Sequence, residues 1–287
     1  MQFTANHSAI KRRLFLFFQI LVTLSCLYWI SQQVTVSAFD DIKIREHGNV
    51  LYVLLILLLM PLNWMMEIQK WYLLRSDDTN QSFAKASQQV LNGLLMSWII
   101  PFTLGDVVGR IQSDQHKTGA LKSLAWNRFF SLVISLGFGS WGLVQFFLPD
   151  TQPTLLLSSL SVILVIIFLW LWRDHRLYSK VFYWTLLRYL VMAAQLYFSL
   201  SLFIEISDPL WVFAGVTWIF LFRSIIPSIW GALGVREMSA ILFFTCCYFN
   251  EQIISSTALI WVINLVVPSL FFGIFKLYLL IFKQTAK

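Results

Sequence analysis

A chain of 287 residues that is 58% hydrophobic and only 12% charged carries about half the charge of a soluble domain, in which roughly 25% is usual. Apolar runs of about 20 residues, the length that crosses a hydrocarbon layer, recur along the whole chain; they exclude one large buried core and predict an all-α polytopic membrane protein. The net charge of +7 is dispersed over short loops between those runs, a distribution that points to topology determinants and anionic headgroups and away from nucleic acid.

At the N-terminus, Lys11-Arg12-Arg13 precedes an apolar run from Leu14 to Ile30, and Val36-Ser37-Ala38 would serve as a cleavage site. The run is long for a signal peptide and further spans follow, so an uncleaved first helix is expected. Hydropathy then predicts spans at residues 14–34, 50–69, 121–148, 154–172, 181–204, 209–226 and 256–282. Shorter apolar pieces occupy residues 83–100 and 238–249, the second of only twelve residues, too short to cross comfortably at 1.5 Å per residue. No Ser/Pro/Gly linker or low-complexity block interrupts residues 1–287, which read as a single membrane domain.

Basic residues set the expected orientation. Lys11, Arg12 and Arg13 place the N-terminus in the cytoplasm; Lys70, Arg75 and Lys85 place the second loop there, as Arg173, Arg176 and Lys180 do for a later one. Lys283 and Lys287 keep the C-terminus inside. A full crossing by residues 83–100 would put Arg173–Lys180 outside, so that piece is expected to enter from the cytoplasm and turn back at Pro101–Gly105. By the same parity, the pieces flanking Pro227–Gly234 form a broken element open to the other side.

Both turns fall in one repeated phrase. IIPFTLGDVVGR (residues 99–110) and IIPSIWGALGVR (residues 225–236) share Ile-Ile-Pro, a Gly four residues after the Pro and an Arg five after the Gly, at a constant offset of 126. Pro breaks the helical ladder and Gly lets the backbone bend, and matched breaks in two halves point to a transporter's central site. The offset pairs segments of opposite direction. The expected fold therefore has about seven or eight membrane helices and two broken or re-entrant hairpins, related by an inverted repeat of approximate halves 50–148 and 176–282.

Irregular backbone at membrane depth is tolerated where it is buried in protein or lines a wet cavity. The helix after Gly234 would aim its amides into such a cavity, and Arg236 would add a planar fork suited to phosphate. Arg110 would add a second fork, with Glu237 and Asp106 as counter-ions or proton sites. The candidate substrate-binding set is thus Arg236, Glu237, Arg110 and Asp106, held by Pro101, Gly105, Pro227, Gly231 and Gly234. Arg188, Arg223 and Arg128 read as snorkelling or structurally paired side chains. Trp64, Trp71, Trp126 and Trp141 read as interfacial belt residues, and Cys26, Cys246 and Cys247 as small apolar fillers.

No zinc-type His/Glu helix, P-loop or local Ser/His/Asp arrangement occurs, and the acidic pairs Asp40-Asp41 and Asp77-Asp78 lie in loops. The expectation is a non-enzymatic protein without a cofactor.

The stretch PSIWGALGVRE, Pro227 to Glu237, resembles the Pro…Gly-Gly-Leu-Gly-Val-Arg-Glu segment of the lysylphosphatidylglycerol synthase transmembrane region family, the flippase-like membrane proteins. PFTLGDVVGR, Pro101 to Arg110, resembles that family's earlier Pro…Leu-Gly-Glu…Arg segment. Three departures stand out: Asp106 replaces Glu, Arg110 lies four residues after the acid rather than three, and Ala232 replaces a Gly, which should stiffen the turn. With the sequence read to Lys287, the expectation is the membrane part alone, without the soluble aminoacyl-transfer domain of the two-domain synthases. The resemblance implies a multi-pass inner-membrane lipid flippase. Its substrate would be an anionic or aminoacylated phospholipid or an isoprenoid-linked lipid, with a membrane-protein partner not excluded. A membrane-embedded lipid-modifying enzyme and a non-transporting partner of a lipid-synthesis complex are the alternatives.

Overall fold

The structure is a computed structural model that describes residues 2–34, 49–76, 81–100, 104–112, 114, 116–148, 170, 173, 176–229 and 232–285. Its regular structure is helical throughout. In chain order the helices are α1 (Gln2–Gln33), α2 (Asn49–Leu74), α3 (Phe83–Ile99), α4 (Leu104–Ile111) and α5 (Lys117–Phe147). They continue with α6 (Arg176–Phe203), α7 (Pro209–Ile225), α8 (Val235–Phe244), α9 (Asn250–Trp261), a π-helical turn (Val262–Val266) and α10 (Val267–Thr285).

Among the described residues, five helical stretches are long and apolar enough to cross a membrane: Leu14–Gln33, Val50–Leu74, Lys117–Phe147, Arg176–Phe203 and Asn250–Tyr278. A multi-pass membrane protein follows. The apolar helix α7 has 17 residues and is shorter than these. Of the expected span 154–172 only Trp170 is among the described residues; Pro101 and Gly231 lie outside them.

Helix boundaries correct the hydropathy reading in three places. α2 continues five residues past Gln69 to Leu74, so Lys70 lies on a helix rather than in a loop. α6 begins at Arg176, which takes Arg176 and Lys180 out of the expected loop. α8 begins at Val235 rather than Met238. Local chemistry fixes other starts. Asp208 Oδ1 accepts from the N–H groups of Leu210 (2.9 Å) and Trp211 (3.1 Å) ahead of Pro209, so two otherwise orphaned amides are capped and Pro sits where no N–H is needed.

α2 and α6 pack together at the centre. α5 lies on α7, α9 on α6, α8 between α7 and α9, and the α3–α4 pair against α2, α5 and α10. The main core joins Ile134 and Trp141 of α5 to Leu196, Leu200, Ile219 and Phe244, while Trp71, Ala86, Val90, Ala120 and Leu124 form a second cluster between α2, α3 and α5. Trp71 and Trp141 are therefore core residues, not belt residues. Phe15, Leu58 and Phe271 are exposed, as a face turned to lipid allows. Cys26 is buried, but Cys246 and Cys247 lie exposed in the turn after α8, their sulfurs 3.1 Å apart; the filler reading holds only for Cys26.

The helix from Asn250 to Thr285 passes Pro268 by a π-turn. Pro268 has no N–H for the carbonyl of Asn264; the Trp64 indole N–H supplies the missing donor at 3.1 Å.

α3 and α4 approach closely because small residues face each other. A Cβ built on Gly109 would stand 2.3 Å from the Asn92 carbonyl oxygen, and one on Gly105 would stand 2.4 Å from that of Met96. Since those obstacles are backbone, Gly109→Val should destabilise the protein by about 1–3 kcal/mol, measured by thermal unfolding in detergent. Val108→Ala, at a 42% exposed neighbour, should change the midpoint little.

Candidate functional site

Asn63, Glu67 and Lys70 recur at helical spacing along α2 and share one face. Glu67, 2% exposed, is the centre. Its Oε1 accepts from Arg110 Nη2 of α4 and Asn127 Nδ2 of α5, each at 2.8 Å. Its Oε2 accepts from Arg188 Nη1 of α6 at 2.6 Å and from Lys70 Nζ at 3.3 Å. The periphery is tied in as well. Arg110 Nε donates to Asp106 Oδ1 at 2.6 Å, and Arg128 Nη2 reaches Asp106 Oδ2 at 3.4 Å. Arg188 Nε donates to Asn63 Oδ1 at 2.9 Å, and Asn63 Nδ2 to Asn264 Oδ1 at 2.9 Å. The Arg110 and Arg188 guanidinium groups also lie over the rings of Trp71 and Trp64.

The expected site residues thus fall into two groups. Asp106 and Arg110 pair with each other and, through Glu67, with α2, α5 and α6. Arg236 and Glu237 form a separate buried ion pair at the start of α8. Glu237 Oε2 also accepts from the Gly234 N–H at 2.8 Å, so the helix N-terminus expected to face a ligand is capped by its own carboxylate. Gly234 takes φ +84°, a conformation open to Gly, and Ala232 takes φ +71°. The stiffening expected of Ala232 is therefore a left-handed alanine, and Ala232→Gly should raise stability by about 1 kcal/mol in the same unfolding experiment.

Two polar cavities adjoin the network. The smaller, about 180 Å³, lies between α2, α5, α6 and α7, with Lys70, Ser131, Thr185, Arg188, Tyr189 and Arg223 among its walls. The larger, about 410 Å³, is walled by Asp106, Arg128, Arg223, Ser224, Pro227 and Ala232 among others. Arg223 and Ser224 belong to both, while Arg236 and Glu237 line neither. Around this region five cations (Lys70, Arg110, Arg128, Arg188, Arg223) face two carboxylates (Glu67, Asp106). The surplus positive charge suits an anion. A separate groove of about 620 Å³ between α2, α3 and α10, bounded by Pro61, Trp64, Leu91, Phe271, Phe272 and Phe275, is entirely apolar.

Among the described residues no cluster of three His, Cys, Asp or Glu side chains is placed to hold a metal ion.

Sequence reasoning missed Glu67, Asn127 and the role of Lys70, and it set aside Arg188, Arg128 and Arg223. The available signal was Glu67 itself, a lone acid inside an apolar run, which by default marks a functional or paired position. No protein-family model and no curated protein matches the chain. The likeness to the flippase-like family therefore rests on the two motif stretches alone.

Glu67→Ala would leave Arg110, Arg188 and Lys70 without their shared counter-charge, at a cost of about 3–5 kcal/mol. Thermal unfolding should show the loss, and Glu67→Gln, which keeps an acceptor, should lose less.

Proposed function

We propose that the protein is a lipid translocase of a bacterial-type inner membrane, moving a lipid with an anionic headgroup between leaflets. The observation that carries this reading is the smaller cavity: it lies among membrane helices, and its charged lining residues are all cations, Lys70, Arg188 and Arg223, with the Glu67 carboxylate that pairs two of them set behind the wall. A headgroup would pass through the two polar cavities while its chains stay in the bilayer, for which the apolar groove beside α2 and α10 offers a surface. Glu67, Asp106 and Arg110 hold the cationic walls in place; the Arg236–Glu237 pair shapes the turn that carries Pro227 and Ala232 into the larger cavity. The motif resemblance implies the same activity.

An inverted repeat with two opposed broken elements belongs to this reading. In its support, the offset of 126 carries Phe83–Ile99 end for end onto Pro209–Ile225, and Asn49–Leu74 onto Arg176–Phe203 to within three residues. Packing follows the same exchange: α3 lies on α4 as α7 lies on α8, and α2 on α3 as α6 on α7. The paired counterparts α2 and α6 meet at the centre, where a two-fold axis would run.

Leaflet exchange of fluorescent anionic and zwitterionic lipids in liposomes containing the purified protein tests the proposal. Wild type should accelerate exchange of anionic lipid. Arg188→Gln, which removes one charge from the cavity wall, should slow it about tenfold or more without loss of folded protein. Absence of exchange by folded wild type would sink the reading, and conversion of the lipid to a new species would replace it with an enzyme.

A further inference from the structure

We propose that the smaller cavity is a binding site for a phosphomonoester group, with Arg223 as its principal ligand; as a statement about the transported lipid, this rests on the translocation reading above. Arg223 differs from every other cation of the region. Lys70, Arg110, Arg128 and Arg188 each reach a carboxylate, whereas Arg223 makes no hydrogen bond or ion pair among the described residues and stands in the wall of both cavities. The Glu237 carboxylate, at the start of the next helix, is already engaged by Arg236 and Gly234. A guanidinium held at membrane depth without a partner is costly, and an arriving anion removes that cost.

A second, independent observation lies in the same wall. Tyr189 is 8% exposed, and its hydroxyl has no hydrogen-bond partner among the described residues, although buried polar groups are almost always paired. The side chain is fixed by stacking on Phe138 and by an edge contact with Phe220. Ser131, Ser135 and Thr185 also line the cavity, the Ser131 and Thr185 hydroxyls donating to the carbonyls of Asn127 and Val181. Arg223 supplies a planar fork that matches two phosphate oxygens, and Lys70 a point charge.

Charge selects the class of anion. Among the described residues of the region, five cations against two carboxylates leave a surplus of three positive charges. A phosphomonoester, at about −1.5 to −2 near neutral pH, offsets more of that surplus than a singly charged phosphodiester does. The ammonium of a zwitterionic headgroup would meet a wall whose charged lining residues, Lys70, Arg188 and Arg223, are all cations, and is repelled. The cavity of about 180 Å³ has room for the group together with ordered water, each molecule of which needs about 10–15 Å³.

The test is equilibrium binding to the full-length protein in detergent, with four probes: short-chain phosphatidic acid, phosphatidylglycerol, phosphatidylcholine and inorganic phosphate. Phosphatidic acid should bind about tenfold more tightly than phosphatidylglycerol, and phosphatidylcholine weakest. Arg223→Gln should abolish the preference, and Tyr189→Phe, which keeps the ring and its packing, should weaken phosphatidic acid several-fold. Lys180→Gln, an exposed change of the same charge, should leave the preference intact. Equal or tighter binding of phosphatidylglycerol, or a preference that survives both Arg223→Gln and Tyr189→Phe, overturns the proposal. Inorganic phosphate binding as tightly as the lipid keeps the phosphomonoester site, assigns it to a soluble anion and overturns only the lipid reading. Phosphomonoester binding without leaflet exchange likewise sinks translocation alone, so the two failures are distinguishable.

Discussion

The Glu67 carboxylate is the interaction on which the rest of the arrangement depends. Four donors from α2, α4, α5 and α6 converge on its two oxygens, and nothing else among the described residues joins those four helices through one atom pair. A buried ion cluster seldom exceeds well-packed apolar side chains in stability, because desolvation offsets the attraction. Its use here is positional. Glu67 permits Lys70, whose side chain is wholly buried, and Arg188, one-fifth exposed, to stand beside a cavity in a medium that would otherwise expel them. Having spent its charge on three cations at once, it leaves the wall positive.

A second constraint runs through the fold: lipid offers no hydrogen bonds, so each break in a helical ladder must be patched from inside the protein. The patches are visible one by one. Trp64 serves the Asn264 carbonyl orphaned by Pro268. Glu237 serves the Gly234 amide, and Thr23 of α1 accepts from the Ile229 amide at 3.2 Å. Each patch comes from a side chain that also packs a neighbouring element. Two of these patches, at Ile229 and Gly234, flank the turn residues Pro227 and Ala232 that form cavity wall.

Five of the expected spans were legible because hydropathy reports directly on transfer to lipid. α3 and α7 were placed to within a residue at each end, since Pro stops both patterns at the same point of the repeated phrase. Lys70 was misread, and the partner of Arg75 missed, for a physical reason. Basic residues at the end of an apolar run resemble interface anchors, and only the register of α2 against α4, α5 and α6 reveals that Lys70 meets Glu67 and that Arg75 meets Asp114 at 3.0 Å. The same limit hid Arg188. Its partners Asn63 and Glu67 lie 125 and 121 residues away in sequence, and no local spacing encodes that. Asn63, Glu67 and Lys70 on one stripe of a lipid-length helix did carry the information, as polar residues that need a partner inside the bundle.

The repeated phrase also shows how a backbone break places charge. Ending α7 at Ile225 puts Arg223 in a last turn, where unpaired carbonyls favour a cation, and starting α8 at Val235 puts Glu237 in a first turn, where amides favour an anion. α4 has the same polarity within a single short helix, with Asp106 in its first turn and Arg110 in its last. Arg110 and Arg236 are equivalent by the offset of 126, yet their partners have diverged. Arg236 is satisfied by its own neighbour, whereas Arg110 bridges Asp106 and Glu67, and Asp106 also lines the cavity beside Arg128. One occurrence of the phrase is a capped turn and the other a strut. The cation left over is Arg223, which is not part of the repeated match at all but stands two residues before it, at the helix end that the Pro break creates.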